Sequence, residues 1–152
     1  GPYDRPDMAL QKFTRAIMNN ETIKIYNYGK HRRDFTYIDD VVTGVIKVLD
    51  RPATSNKNWS NNNPDPATSS AKYRIYNLGN NSPVELMDYI KALESSLGKV
   101  AKKDLLPMQP GDVLDTFADV DDLVKDFFFK PQVTISQGIE NFVKWYSNYY
   151  HD

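Results

Sequence analysis

Apolar positions along this chain recur with two different periods, and the period changes where proline, glycine or aspartate intervenes. Between Asp7 and Asn20, Met8, Ala9, Phe13, Ala16 and Ile17 return at helical spacing behind a proline and an aspartate suited to capping, which predicts a first helix. The run TIKIYNY (22–28) alternates apolar and polar residues and predicts a short strand ending at Gly29. A second helix is predicted over DDVVTGVIKVLD, opened by Asp39 or Asp40 and stopped by Pro52, with Val41, Val45, Val48 and Leu49 forming one apolar stripe. Residues 52–72 are rich in Asn, Ser, Thr and Pro and predict a polar surface loop, because such a composition supplies no core.

The pattern resumes with YRIYNLG (73–79) as an expected strand. Ser82-Pro83-Val84-Glu85 follows, with the form of a capping box and proline at the first helical position, and Gly98 marks the stop of that helix. AKKDLLPM (101–108) predicts another strand, followed by a Gln109-Pro110-Gly111-Asp112 turn. A short helix is expected from Asp119 to Phe129, ended by Pro131. Thr134 and Gln137 then form a second capping box, opening a last helix that buries Ile139, Phe142, Val143 and Tyr146 with Trp145 beside them. Helices alternating with short strands predict a mixed α/β (α+β) fold.

Composition narrows the function more than the fold. A chain of 152 residues makes one domain (1–152) able to bury roughly two-thirds of its unfolded surface. The net charge of -1 argues against a nucleic-acid or polybasic membrane surface, although local basic clusters can still hold small anions. With no cysteine, disulfides and thiolate metal sites are excluded, which fits a cytoplasmic location. No apolar run approaches the roughly 20 residues of a membrane span, and no signal peptide opens the chain. The opening GPYDRPDMAL reads as mid-loop, so a segment upstream is expected, although Gly1-Pro2 also suits a protease-site remnant.

No self-contained active site is predicted. Only seven glycines are present and none forms G-x-G-x-x-G, so no dinucleotide-binding turn is expected. Tyr26 and Lys30 have the Tyr-x-x-x-Lys spacing of a proton-transfer pair, but such a pair works from one helix face. Here the spacing crosses a strand-to-loop transition and reads as coincidence. His31, in a basic loop, and His151, beside the C-terminus, lack a second ligand or nucleophile at motif spacing, so neither a metal site nor a triad is expected. Asp39, Asp40, Asp88, Asp121 and Asp122 read as helix-start and solvated-face residues. Arg33 reads either as a solvated surface arginine or as an anion fork, with Asp34 and Phe35 fixing the backbone and packing beneath it. Tyr26 either stacks on a base or packs.

Four segments in order, GPYDRPDMA, YNYGKHRRDFTYIDD, PATSSAKYRIYNLGNNSPVELMDYI and LPMQPGDV, resemble the C-terminal part of UDP-glucuronate 4-epimerases. These are NAD-dependent extended short-chain dehydrogenases/reductases of polysaccharide-precursor synthesis. R-D-F-x-Y-I-D-D marks extended sugar-nucleotide enzymes broadly, and R-P-D-M-A, P-A-T-S-S-A and S-P-V-E-L-M-D-Y narrow the likeness to the glucuronate group. The resemblance implies that the chain is the substrate-binding portion. The Rossmann half, with its glycine-rich turn, bound NAD and catalytic Ser/Thr, Tyr and Lys, would precede Gly1.

On that resemblance, Arg33 matches the arginine that grips the UDP diphosphate. Ile25 and Tyr26 match the strand end beside the uracil, and Asp112 the aspartate that holds the ribose. Arg5 falls where an arginine meets the sugar carboxylate, a charge-assisted pair that would discriminate against neutral hexoses. Gln109 stands where relatives acting on neutral UDP-sugars carry a second phosphate-binding arginine. FFFKP at 127–131 departs from relatives that place a glycine before the last Phe, a change expected to alter helix-end geometry. The implied partners are UDP-glucuronate and UDP-galacturonate, with no catalytic residue and no cofactor on this chain. An exposed edge strand at YRIYNLG and an exposed apolar face on the second helix imply self-association or a missing half. The alternatives are a stand-alone or split-chain nucleotide-sugar-binding module, a ligand-free structural domain, or part of a related NAD-dependent dehydratase or decarboxylase.

Overall fold

Helix α1 (Ala9–Met18) and strand β1 (Thr22–Ile25) open the fold of the computed structural model, which describes residues 1–150. His151 lies outside the described residues. In β1 the alternation predicted from sequence buries Ile23 and Ile25 and leaves Thr22 and Lys24 exposed. The strand is shorter than the expected 22–28, because Asn27, Tyr28 and Gly29 all turn left-handed, with φ of 51°, 53° and 78°. β2 (Arg32–Arg33) follows, then α2 (Ile38–Leu49), β3 (Val84–Glu85) and α3 (Leu86–Leu97). β4 (Lys102–Leu105), α4 (Asp121–Phe127) and α5 (Ile135–Tyr150) complete the order.

Two small ladders join segments distant in sequence. β1 runs parallel to β4, pairing Thr22 with Lys102 and Ile25 with Leu105. β2 runs antiparallel to β3, with Arg32 opposite Glu85 and Arg33 opposite Val84. The core lies where α1, α3 and α5 cover β1: Ile17, Ile23, Ile25, Tyr89, Ile90, Leu93, Ala101, Ile139, Phe142 and Val143 are all buried. Phe142 is fully enclosed, so its ring contributes on the order of the 3–5 kcal/mol that phenylalanine truncations cost.

Helix ends divide into those set locally and those set by the fold. Gly98 closes α3 with φ 63°, as expected of a left-handed stop. Thr134 and Gln137 form the reciprocal capping box at α5, Gln137 N–H donating to Thr134 Oγ1 at 3.3 Å and Thr134 N–H to Gln137 Oε1 at 3.0 Å. The box expected at Ser82–Glu85 does not form. α3 begins only at Leu86, because Val84 and Glu85 are taken by the ladder to β2, where Glu85 pairs with Arg32 at 3.5 Å.

The expected strand at 73–79 is likewise corrected. Its side chains alternate as a strand's do, with Tyr73, Ile75 and Asn77 exposed and Arg74, Tyr76 and Leu78 half-buried. Yet no second strand lies beside it. Its main chain reaches only the preceding loop, through a bridge from Thr68 to Arg74 and the Ile75 N–H donated to Ala67 O at 2.9 Å. Residues 52–72 wind without helix or ladder strand, tied by a bridge between Ser55 and Lys72. Of the expected α2 stripe, Val41 and Val48 are half-buried while Val45 and Leu49 are 56% and 73% accessible, and Val42 and Ile46 beside them are also exposed. What α2 buries instead is Gly44 and Asp40. A Cβ at Gly44 would lie 2.5 Å from Leu78 Cδ1, so glycine there lets the 73–79 segment pack closely.

Candidate functional site

Arg33 sits on β2 with its guanidinium turned toward the loop that follows the Gln109–Asp112 turn. Its Nη1 donates to the carbonyls of Leu114 at 2.9 Å and Arg32 at 3.1 Å. Its Nη2 donates to Asp112 Oδ1 at 3.2 Å and lies 3.3 Å from His31 Nδ1. Asp112 Oδ2 lies 3.5 Å from that same ring nitrogen, and Oδ1 also accepts from the Val113 amide at 2.9 Å. The Arg33 and Asp112 side chains are 25% and 31% exposed, so the pair is partly open to solvent.

Main-chain bonds place this loop. Arg32 N–H donates to Leu114 O, and Thr116 N–H donates back to Arg32 O. Gly111, with φ 80°, supplies the left-handed corner that the turn requires, and Asp112 N–H closes it on Gln109 O at 3.2 Å. Beneath Arg33, Asp34 accepts backbone N–H groups of Asn81, Ser82 and Ala118, and Phe35 stacks on Tyr89 at 4.4 Å. The two residues thus fix and support β2 as the sequence suggested. Burial, followed by the nearby Asp4 charge, raises the Tyr89 phenol well above its ordinary value.

The other expected residues are placed differently. Ile25 is wholly buried in the core, and its carbonyl accepts from the Leu106 amide at 2.8 Å. Tyr26 is half-buried at the start of the left-handed turn, which Asn27 Nδ2 holds by donating to Lys30 O at 2.8 Å. Gln109 is exposed. Arg5 stands on the N-terminal segment, 3.4 Å from Asp7, and makes no hydrogen bond or ion pair with the Arg33 group among the described residues.

Two readings of the sequence change here. His31 is buried and belongs to the Arg33–Asp112 cluster, with Nε2 enclosed and without a partner. Lacking any motif spacing, it carried no local signal. Asp40 is not a solvated helix-start residue: it is buried and accepts the amides of Gln132 at 3.1 Å and Val133 at 2.9 Å. Asp122 is turned to Arg74 at 2.8 Å, whereas Asp88 remains an exposed partner of Lys91.

A half-buried arginine fork held by a carboxylate beside a tight turn suits an anion flanked by hydroxyl groups. The model of the NAD dependent epimerase/dehydratase family matches residues 1–79, more than half of the chain, and the chain belongs to that family. Among curated relatives, protein CapI of Staphylococcus aureus is 53% identical over 150 residues, covering 99% of this chain and 45% of its own length. The probable UDP-glucuronate 4-epimerase of Rhizobium meliloti (strain 1021) is 42% identical over 154 residues, covering 99% and 44%. A crystal structure of UDP-glucuronic acid 4-epimerase from Bacillus cereus, in complex with UDP-glucuronic acid and NAD, superposes with a TM-score of 0.78. That match has 28% identity over 99% of this chain and 43% of that one. The likeness to UDP-glucuronate 4-epimerases and the mixed α/β fold therefore hold, and the chain spans less than half the length of the relatives it matches.

NAD is bound by that neighbour. Gly44 and Gly79 are closed by Leu78 and Ala118, and Gly29 by Met87, so none of these opens a cradle for a pyrophosphate. Among the described residues, no group of three His, Cys, Asp or Glu side chains is arranged for a metal. No helix among them is long and apolar enough to cross a membrane.

Proposed function

We propose that this chain is the UDP-sugar-holding portion of a UDP-glucuronate 4-epimerase of polysaccharide-precursor synthesis, acting in the cytoplasm on UDP-glucuronate and UDP-galacturonate. The observation that carries the reading is the convergence of Arg33 and Asp112, 79 residues apart in sequence and 3.2 Å apart in space. Relatives named for that activity, 42–43% identical across 99% of this chain, supply the substrate class. In this reading residues 1–152 act as one substrate-binding unit, with 52–72 as a polar surface loop. Arg33 takes the diphosphate and Asp112 the ribose hydroxyls. Ile25 contributes only backbone beside the uracil, while Tyr26 offers its ring. Arg5 leaves Asp7 for the sugar carboxylate, and Gln109 borders the phosphates.

The chain by itself holds substrate and does not turn it over, since NAD and the proton-transfer residues come from the rest of the longer relatives. The exposed stripe of α2 and the unpaired 73–79 segment are where that remainder docks, or where two copies associate in its absence. Differential scanning calorimetry with UDP tests the binding role directly. UDP is expected to raise the melting temperature of the native chain and to leave Arg33→Met unmoved. A native chain whose melting temperature stays constant in millimolar UDP overturns the reading.

A further inference from the structure

One ring nitrogen of His31 has two partners that it cannot serve together. Nδ1 lies 3.3 Å from Arg33 Nη2, a donor under all conditions, and 3.5 Å from Asp112 Oδ2, an acceptor. Toward Arg33 it must present its lone pair; toward Asp112 it must carry a proton. If Nδ1 accepts from Arg33, the proton of a neutral ring sits on Nε2, where it is buried and has no acceptor. An orphaned buried donor is the rarer and costlier arrangement, so this tautomer persists only while Arg33 presses on Nδ1.

We infer that His31 is a positioning residue that takes over Asp112 when a ligand draws Arg33 away. The inference rests on the reading of Arg33 as the anion clamp. An anion that engages Nη2 removes the donor from Nδ1 and, in the same step, removes the cation from Asp112. The neutral ring re-forms with its proton on Nδ1, the Nε2 proton passing to water when the buried ring transiently opens to solvent. The ring stays neutral, and Nδ1–H donates to the Asp112 carboxylate. The aspartate is thereby kept in place, with Oδ1 still accepting from the Val113 amide, and is free to receive hydroxyl groups of the same ligand. The charged groups facing the ring nitrogen are Arg33 and Asp112, and the exchange needs no net change in protonation.

The test is nitrogen NMR of the labelled His31 ring, which distinguishes protonated from bare Nδ1. In the ligand-free native chain Nδ1 is expected bare. In ligand-free Arg33→Met it is expected protonated, with Arg33→Leu repeating the measurement on a second packing. Bare Nδ1 in both variants overturns the inference whether or not UDP binds. The same arm separates it from the binding reading, since a protonated Nδ1 in ligand-free Arg33→Met together with a native chain that shows no UDP affinity would sink only the latter. Saturating UDP on the native chain is expected to protonate Nδ1, and a ring left unchanged overturns the takeover. His31→Leu is expected to weaken UDP about tenfold, and His31→Asn, whose amide offers either an oxygen or an N–H at the Nδ1 position, to stay within about twofold of native. Equal losses in the two variants also overturn it.

Discussion

Phe128 closes α4 in the left-handed region, at φ 51° and ψ 35°, with its ring 91% exposed. A side chain there costs roughly 1–2 kcal/mol relative to glycine, and an exposed ring recovers little by packing. Phe128→Gly is therefore expected to stabilise the chain by about 1 kcal/mol in urea unfolding, even though it deletes an aromatic ring. A loss of stability would show that the ring is covered in solution. The sequence marked this position, because the family resemblance implies a glycine before the final Phe, and the left-handed φ at Phe128 is one that glycine adopts without cost. The aspartates were less legible. Asp34 and Asp40 lie seven residues or fewer from Arg33, but they answer amides 47 or more residues away, near Asn81, Ala118 and Gln132. Nothing within a helical turn of either aspartate records those donors.

At the scale of elements, α3 is fastened to β4 through Glu94. Its carboxylate accepts the Ala101 amide at 2.7 Å and the Lys103 ammonium. Burial pushes the Glu94 carboxyl up, but the hydrogen bonds from Lys103 and Ala101, with the Lys103 charge, prevail and hold it below its ordinary 4.5. A carboxyl depressed on folding contributes stability that is complete above its unfolded value and is lost as pH falls through the folded one. Stability is thus expected to decline from about pH 4.5 downward, with Glu94→Gln less stable at neutral pH and flatter along that acid limb. Urea midpoints for the two proteins between neutral and acid pH check this, and parallel curves would contradict it. The two capping boxes show what elements reveal in sequence. Thr134–Gln137 works because all its bonds span three residues, whereas Ser82–Glu85 has an equivalent pattern and is overridden by a ladder to β2.

At the scale of the whole molecule, apolar surface exceeds what the chain can cover. Val45 and Leu49 on α2 and Tyr73 and Ile75 on the neighbouring segment stay open to solvent. Side chains so exposed, beside a strand-like segment without a strand partner, favour association. Light scattering at micromolar concentration is expected to find the native chain larger than a monomer, and Val45→Lys with Leu49→Lys to shift it toward one. A native monomer would remove self-association as a property of this chain. The paired substitutions leave the Arg33 cluster untouched, so UDP-dependent stabilisation is expected to survive them.

The sequence by itself determined the order and kind of nearly every helix, the alternation that buries Ile23 and Ile25, the left-handed stop at Gly98 and the family to which the chain belongs. Those features are written in contacts no more than a few residues long, or in a residue order shared with relatives. Only the tertiary structure decided that Val84 and Glu85 pair with β2, that Asp40 is buried against the amides of Gln132 and Val133, and that His31 joins Arg33 and Asp112. Each of these depends on which distant segment arrives alongside. The free energy of such a meeting belongs to packing and desolvation of the assembled chain, which no local period encodes.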